Sequence, residues 1–424
     1  MPRSSLRLLF AATSAAVFLA GCASPPRSSV GAGAQAVQLD SARFPEIDAA
    51  VEQAVAARRL PGAVVHLERG GESYERAYGK LSYEPDARPV DTATVFDAAS
   101  LSKVLATAPS VLKLAEEGRI DLDAKLVTYF PECANGGKEA ITIRHLLTHS
   151  SGLPSGLPAR PAWHGDAAAH ALACSQAVTH PPGTFFRYSD INYILLGQLV
   201  QKVSGMPLDE FARTRIFEPL KMRDTGYRPL GRMGSAAHVP VALIAPTQKG
   251  REDGGAGHGD LAPGQLLQGV VHDPTARRMD GVAGSAGVFT TAHDVARYAR
   301  MLLQGGELDG VRILSADSVR LMTTPQSPAG IEALRGLGMD INSPYAVRPR
   351  GTLFPVGSYG HTGFTGCVLW IDPGSRTFYV LLSNRVYPDD KSNVLALYTR
   401  LGTLAAQAAA VAGAPASPAV ATAH

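Results

Sequence analysis

Two hairpin patterns near opposite ends of the chain most strongly limit what it can fold into. Each consists of two short strand-like segments on either side of a glycine-containing turn, the pattern of paired antiparallel strands. The residues between the two hairpins have mainly helical character. The sequence therefore predicts an α+β fold, an α/β sandwich in which an antiparallel sheet is flanked by helices and an all-helical lobe is inserted in the middle. The predicted strands are 62–68, 73–81, 367–372 and 377–383, and residues 392–411 are predicted to form a helix.

Ser100 and Lys103, three residues apart, are the first candidates for catalysis. Residues with this spacing share a helix face, so the hydroxyl and the ammonium can meet. A serine needs a base within hydrogen-bond reach to become a nucleophile, and a lysine can be that base if burial or a nearby cation lowers its pKa. The apolar residues that follow predict a buried helix and a desolvated Lys103. By itself this pattern is more often an exposed helix turn, so the catalytic interpretation depends on other motifs in the sequence.

Three further phrases accompany this pair along the chain: residues 141–154, Tyr188-Ser-Asp190 and His361-Thr-Gly363. Together, the four phrases resemble the serine β-lactamase and penicillin-binding-protein superfamily, on its class C β-lactamase-like branch. That branch also holds D-alanyl-D-alanine carboxypeptidases, D-aminopeptidases and carboxylesterases. The resemblance extends from about residue 44 to about residue 404, and it implies the β-lactamase/transpeptidase-like fold.

The resemblance implies a role for each residue of the set. Ser100 would be the acylated nucleophile, with Lys103 assisting its proton transfers. Tyr188 would be the general base toward Ser100, and then toward the leaving group or the hydrolytic water. Because a free tyrosine titrates at about 10, this role requires positive neighbours, and Lys103 and His361 are the expected ones. The backbone N–H groups of Ser100 and Phe364 would form the oxyanion hole.

His361, Thr362 and Gly363 are implied to line the substrate cleft along a strand edge, and two positions of the chain depart from the branch. His361 stands where the branch usually has lysine, a permanent cation that can hold a substrate carboxylate, whereas histidine is mostly neutral at about pH 7. Asp190 stands where asparagine is common, and it can pair with Lys103 and hold the lysine charged. Both departures argue against efficient β-lactam hydrolysis and favour an esterase or a weak peptidase.

Other constellations in the sequence are weaker. His145 and His149 have i,i+4 spacing but lack the glutamate of a zinc-protease helix, so a structural role is preferred and no metal or cofactor is predicted. The Ala283-Gly-Ser-Ala-Gly287 segment is a near miss for the α/β-hydrolase elbow, and a glycine-rich turn is the simpler interpretation. Within it, Ser285 is a candidate substrate contact. His272 lies in a segment that fits a cleft-lining loop and a surface turn equally well.

The N-terminus predicts export. A basic start and a short apolar stretch over 8–20 are typical of a secretory signal and too short for a membrane span. The stretch ends in a Leu-Ala-Gly-Cys phrase that resembles a bacterial lipobox, so Cys22 is the predicted lipidation site, with ordinary cleavage nearby as the alternative. The predicted location is a lipid anchor at the periplasmic face of a bacterial membrane, the outer membrane. The predicted boundaries are a lipoprotein signal peptide over 1–21, a flexible tether over 22–43, the hydrolase domain over 44–411 and a disordered tail over 412–424.

Composition limits the partners of the protein. The 424 residues carry a formal net charge of +3, so no strongly basic field points to nucleic acid, or to a membrane beyond the lipid anchor. With Cys22 lipidated, Cys133, Cys174 and Cys367 remain, an odd set that makes a poor disulfide framework although one bridge stays open. Residues 249–264, rich in glycine, are predicted to form a mobile surface loop. The oligomeric state is not predicted.

These observations predict a lipid-anchored periplasmic serine hydrolase that acts through a Ser100 acyl-enzyme on esters or on D-alanyl peptides of the cell wall. Two alternatives stay open. One is a class C-like β-lactamase, and the other is a non-catalytic penicillin-binding or sensor module that is acylated without turnover. Deacylation separates the last alternative from the enzymes.

Overall fold

Fourteen strands and twelve α-helices lie in the residues that the computed structural model describes, which are 38–228, 230, 239–251 and 261–411. The strands are β1 (Gly62–Arg69), β2 (Glu72–Gly79), β3 (Phe96–Asp97), β4 (Gly226–Tyr227), β5 (Gln248–Lys249), β6 (Leu266–Leu267), β7 (Val288–Thr290), β8 (Glu307–Leu308), β9 (Val311–Arg312), β10 (Leu334–Arg335), β11 (Asp340–Asn342), β12 (Tyr359–Gly363), β13 (Cys367–Asp372) and β14 (Thr377–Ser383). The helices are α1 (Phe44–Ala56), α2 (Ala108–Glu116), α3 (Leu126–Tyr129), α4 (Ile143–Leu147), α5 (Asp166–Ser175), α6 (Asp190–Ser204), α7 (Leu208–Ala212), α8 (Pro274–Arg278), α9 (Ala292–Leu303), α10 (Ala316–Thr323), α11 (Val347–Arg350) and α12 (Leu395–Ala408).

Seven of the strands form one antiparallel sheet in the order β10-β11-β12-β13-β14-β1-β2. Strand β1 pairs with β2 on one side and with β14 on the other, in a register that places Val64 opposite Leu382. The two predicted hairpins are therefore present and lie side by side, which confirms a sheet built from both ends of the chain. Strands β3, β7 and β4 form a second, three-stranded sheet.

Helices cover both faces of the seven-stranded sheet. Successive strand residues alternate between two hydrophobic cores, with Val65 and Trp370 in one and Val64 and Leu369 in the other. The first core includes apolar residues of α1 and α12, whereas the second includes those of α9 and of the helices from α2 to α7. Because each face of the sheet buries its apolar side chains against a helical layer, the fold is the predicted α/β sandwich.

The helical insertion between β3 and β4 contains a disulfide. Cys133, at the end of a 3-10 turn, and Cys174, on α5, are bonded with their Cα atoms 4.5 Å apart. The poor framework expected from the sequence therefore still yields one bridge, because the fold brings together two residues that are distant in sequence. The adjacent His170 completes a cluster of metal-ligating side-chain types, yet both sulfurs are engaged in the bridge. Cys367 is buried as a thiol.

The folded domain begins before the predicted end of the tether. Leu39 is 5% exposed and donates its N–H to the Glu72 carboxylate at 2.8 Å. The N–H of Asp40 donates to the carbonyl oxygen of Ala408 at 2.7 Å, near the end of α12. These contacts place residues 39–43 in the domain rather than in the tether.

Several sequence predictions concern residues outside the described part of the chain. These are the signal peptide, the lipidation site Cys22, most of the tether, the tail over 412–424 and the centre of the 249–264 loop. The edges of that loop adjoin the antiparallel pair of β5 and β6. Within the described ranges, no helix combines the length and the apolar character that crossing a membrane requires.

Candidate active site

The predicted nucleophile lies in a tightly held turn between the two sheets and the helical lobe. Ser100 is the middle residue of a 3-10 turn that follows β3 and leads through a π-helical turn into α2. Ala99 has a left-handed φ of +46°, and its N–H donates to Asp97 Oδ1 at 2.8 Å. The hydroxyl of Ser102 donates to the Ala99 carbonyl at 2.6 Å and accepts the N–H of Val288 at 3.0 Å. These bonds hold Ser100 in place at the edge of a cleft.

Lys103 connects the components of the site. Its buried ammonium donates to Ser100 Oγ at 3.1 Å and to the carbonyl of Ser285 at 2.8 Å, and lies 2.7 Å from Asp190 Oδ1. Burial acts to lower the pKa of Lys103, but the attraction of Asp190 and Tyr188 outweighs it and raises the pKa above the ordinary lysine value. The sequence left two expectations for Lys103: a pKa lowered by burial, or a charge held by Asp190. The structure has the second, because the pKa of Lys103 is raised.

Tyr188 meets both members of the pair. Ser100 and Lys103 both act on its hydroxyl group, and the Lys103 Nζ lies 5.1 Å from the centre of its ring. Desolvation raises the pKa of Tyr188 above its ordinary value, and the opposing effects of Lys103 and Ser100 do not offset it. The sequence expectation of a lowered pKa is therefore wrong in direction. At neutral pH the site holds a phenol beside an ammonium.

His149, which was not predicted to belong to the site, packs against the ring of Tyr188. Helix α4 ends before His149, so this residue does not share a helical face with His145, which caps the same helix with Thr142. The buried His149 Nδ1 accepts the N–H of Ser189 at 3.1 Å, and its ring centre lies 4.4 Å from that of Tyr188. Burial, followed by nearby cations, lowers the pKa of His149 well below its usual value, so the ring packs as a neutral group. Its structural role was predicted, but its place under Tyr188 was not.

The strand edge on the opposite wall carries a neutral histidine. His361, on β12, is buried and its Nδ1 donates to the carbonyl of Thr362 at 2.8 Å. Burial, and then the nearby cations Arg335 and Lys103, lower the pKa of His361 well below its usual value. His361 thus does not supply the positive charge that was expected to assist Tyr188. It lies at the expected place, 6.0 Å from the Tyr188 ring between centres.

A cation that sequence reasoning missed lies beside this wall. Arg335, on β10, is fully buried, donates to the carbonyl of Gly338 at 2.9 Å and lies 3.3 Å from Asp340 Oδ2. The 3.3 Å contact joins its Nη1 to the carboxylate, so in the described residues its Nε–H is the group with neither a hydrogen-bond nor an ion-pair partner. Charged donors are costly to bury without partners, so this N–H group marks a place for an acceptor. No spacing in the sequence connects Arg335 with His361.

The predicted oxyanion residues meet where β12 ends. A Cβ built on Gly363 would clash with the carbonyl oxygen of Ala98, so only glycine allows this close approach of strand and turn. Next to it, the Thr365 hydroxyl donates to the Asp97 carbonyl at 2.7 Å. Phe364 and Ser100 consequently line the same space, as the predicted oxyanion hole requires.

Two cavities meet at Ser100, Tyr188 and Phe364. The first has a volume of about 490 Å³, and the second about 350 Å³. His272 lines the second cavity, as the cleft-lining alternative predicted, and Ser285, the candidate substrate contact, lines it too. The first cavity is lined further by Arg335, Asp340, Tyr345, His361, Thr362, Gly363, Arg385, Lys391, Ser392, Asn393, Val394, Leu395 and Tyr398. The second is lined further by Ala99, Asp190, His272, Asp273, Pro274, Ser285, Ala286 and Asp390.

The chain is similar to known proteins along most of its length. The family model described as Beta-lactamase matches residues 47–403. A protein of Escherichia coli, whose name assigns it provisionally to the D-alanyl-D-alanine carboxypeptidases, is 33% identical over 69% of this chain and 70% of its own length. An N-acetylmuramyl-L-alanine amidase of Bacillus subtilis is 30% identical over 85% of this chain and 86% of its own.

Solved structures share the fold. A hydrolase described as having promiscuous acyltransferase activity superposes with a TM-score of 0.66 at 21% identity, over 86% of this chain and 99% of its own. A penicillin-binding-protein homologue from Caulobacter crescentus superposes with a TM-score of 0.65 at 21% identity, over 86% and 97%. The family match covers most of the chain and includes all four catalytic phrases. The chain therefore belongs to the β-lactamase family of serine hydrolases.

Proposed function

We propose that the protein hydrolyses D-alanyl peptides as a carboxypeptidase, through an acyl-enzyme on Ser100, with esters as secondary substrates. The observation that carries this proposal is the buried Arg335 guanidinium, which lines the same cavity as Ser100 and has an Nε–H without a partner in the described residues. The usual lysine of this branch is replaced by a neutral His361, so Arg335 takes over its charge. A guanidinium matches a carboxylate as a two-pronged donor, and a peptide that ends in D-alanine presents that carboxylate.

The proton transfers follow from the contacts at Lys103. The minor fraction of Tyr188 that is ionised, favoured by the Lys103 ammonium, accepts the Ser100 proton as Oγ attacks the carbonyl carbon, and the rate is set by that fraction. The oxyanion is held by the N–H groups of Ser100 and Phe364. As the tetrahedral intermediate collapses, Tyr188 returns the proton to the leaving nitrogen or oxygen. Water then attacks the ester by the same path, again losing its proton to Tyr188.

The names of similar proteins support this substrate class. The provisional carboxypeptidase name of the Escherichia coli relative and the amidase name of the Bacillus subtilis relative both refer to cell-wall peptides. A family VIII carboxylesterase with the same fold, at a TM-score of 0.64, supports the secondary ester activity.

The test is hydrolysis of diacetyl-L-lysyl-D-alanyl-D-alanine, its C-terminal amide and p-nitrophenyl acetate by the purified protein. We expect release of D-alanine that the Ser100→Ala variant abolishes, and a preference for the free carboxylate of about 10²-fold. The Arg335→Gln variant should lose this preference, whereas Lys391→Gln, which removes an exposed cation from the same cavity, should keep it. Ester turnover without carboxylate preference would establish the esterase instead. A stable penicillin adduct without any turnover would establish the binding module.

We propose further that the protein is a lipoprotein of the periplasm, anchored through Cys22. The support is the basic start, the short apolar stretch and the lipobox-like phrase before Cys22. Mass spectrometry of the membrane fraction should find a diacylglyceryl-modified Cys22 at the mature N-terminus, and Cys22→Ser should release the protein from the membrane. An unmodified mature protein cleaved elsewhere would overturn this proposal.

A further inference from the structure

The two cavities that meet at Ser100 differ in charge. The first contains three cationic side chains, Arg335, Arg385 and Lys391, against one carboxylate, Asp340. The second is lined by Asp190, Asp273 and Asp390, and none of the described residues that line it is lysine or arginine. A substrate that extends from one cavity into the other past Ser100 would therefore meet mainly positive side chains at one end and mainly negative side chains at the other.

Two carboxylates of the second cavity are close enough to oppose each other. Desolvation and then the charge of Asp190 raise the pKa of Asp273. Asp190 has one oxygen at 2.7 Å from Lys103 Nζ and its side chain is 37% exposed. Asp273 is held in place by its position at the start of α8, where Oδ1 accepts the N–H of Ala276 at 2.7 Å. Lys103 already offsets the charge at one Asp190 oxygen and, with Arg277, acts to lower the pKa of Asp273. A cation that reached Asp273 and the exposed part of Asp190 would offset the remaining repulsion.

Ser285 provides a second, independent sign of a ligand. Its side chain is 1% exposed and lines the second cavity, and its Oγ has no hydrogen-bond partner in the described part of the chain. The backbone of the same residue accepts a bond from Lys103 at 2.8 Å, which fixes the hydroxyl close to the nucleophile. Buried hydroxyls without partners are rare, so this one indicates a donor that arrives with the substrate.

We propose that the second cavity binds an ammonium group on the acyl side of the scissile bond, with Asp190 and Asp273 as its counter-ions and Ser285 Oγ as a hydrogen-bond acceptor. The inference rests on the proposed function, because an acyl donor with its leaving carboxylate at Arg335 must place its other half in the second cavity. The ammonium has two chemical sources. It is the α-amino group of an N-terminal residue, or a side-chain amine of the acyl residue.

Four p-nitroanilides separate these sources: D-alanine, N-acetyl-D-alanine, N-acetyl-D-lysine and N-acetyl-D-norleucine. The measurement is kcat/KM at pH 7, where the amines are protonated. We expect one member of a pair, free over acetylated alanine or lysine over norleucine, to react about tenfold faster or more. The pair that discriminates identifies the source.

Variants then assign the discrimination to the cavity. Asp273→Asn retains an N-cap for α8 and should bring the ratio within the discriminating pair close to one. Ser285→Ala should lower the same ratio by a smaller factor. Asp317→Asn removes an equal charge from the exposed first turn of α10 and should change neither rate nor ratio.

Two failures are distinguishable. Turnover of all four substrates with ratios near one, dependent on Ser100, would overturn the ammonium site and leave the proposed function standing. A ratio that survives Asp273→Asn would also overturn the assignment to this cavity. The absence of Ser100-dependent hydrolysis or acylation with these anilides and also with diacetyl-L-lysyl-D-alanyl-D-alanine would overturn the proposed function, and the ammonium site with it.

Discussion

The two walls of the cleft differ in how completely their polar groups are paired. On the wall formed by the Ser100 turn and Tyr188, the Lys103 ammonium has hydrogen-bond or ionic contacts with Ser100, Ser285 and Asp190. On the wall formed by β10 to β12, Arg335 pairs with Asp340 but retains an Nε–H without a partner in the described residues. We call the first wall the complete wall because its ammonium is fully paired before substrate arrives, as proton transfer requires, although Ser285 Oγ has no partner in the described part of the chain. The second is completed by the substrate, as recognition requires.

The largest loss of activity should follow from replacing Lys103, which contacts the other members of the complete wall. Lys103→Met leaves Asp190 without its partner and removes the cation that favours the tyrosinate form of Tyr188. We expect kcat/KM to fall by about 10⁴-fold, because the members of such a unit act together. The measurement is steady-state kinetics with the diacetylated peptide.

Lys113 offers a matched control on the following helix turns. It is a partly buried lysine that donates to the carbonyl of Ile313 at 2.8 Å, away from the cleft. Lys113→Met should change kcat/KM by less than about threefold. A loss of less than tenfold in Lys103→Met would contradict the central place of this ammonium.

The disulfide supports the complete wall from within the helical insertion. Replacing Cys133 and Cys174 by serine removes a crosslink across a sequence separation of 41 residues. Loop-closure entropy predicts a decrease of about 4 kcal/mol in the free energy of unfolding. Denaturant unfolding measures it, and wild type in a dithiol reductant should approach the double variant. An unchanged unfolding midpoint would show that this bridge does not form in solution.

The pH dependence of kcat/KM tests how Asp190 affects the pKa of Tyr188, the proposed general base. Since Asp190 contributes to the raised pKa of Tyr188, Asp190→Asn should lower that pKa and move the rising limb of kcat/KM to lower pH. Below that limb Tyr188 stays protonated and the rate falls with falling pH. A limb that stays at the same pH in Asp190→Asn would show that another group is the base.

The smallest effect is expected at His361, on the incomplete wall. Because its pKa lies well below its ordinary value, the ring is neutral across the working range and contributes no charge. His361→Asn should reduce kcat/KM by about fivefold at most, and the wild-type profile should have no limb near pH 6. A large loss restricted to substrates with a carboxylate would instead assign the recognition role to His361 rather than to Arg335.

The members of the complete wall were predictable because local spacing determines them. Ser100 and Lys103 lie three residues apart on one helical segment, and Tyr188 and Asp190 lie together at the start of α6. Their resemblance to a known family supplied the order. The strands of both hairpins were also predictable, since their glycine-containing turns are local signals.

The place of Arg335 in the cleft and the direction of the Tyr188 pKa shift were not predictable, because both depend on contacts between residues that are distant in sequence. Arg335 reaches the cleft only because the short strand β10 pairs with β11, and that pairing is set by the sheet. The pKa of Tyr188 depends on how many protein atoms replace water around it, which no motif reports. The bridge between Cys133 and Cys174 likewise depends on two helical segments meeting, so sequence left it as one option among several.

The pairing of β1 with β14 has a consequence for synthesis on the ribosome. The middle of the large sheet forms only when β1 meets β14, a strand that lies about 300 residues later in the chain. Until then β1 and β2 expose apolar side chains that belong to both cores. A nascent chain therefore stays without this part of the sheet until β14 has been translated. A premature stop before β14 therefore yields a polypeptide with no native sheet rather than a shortened enzyme.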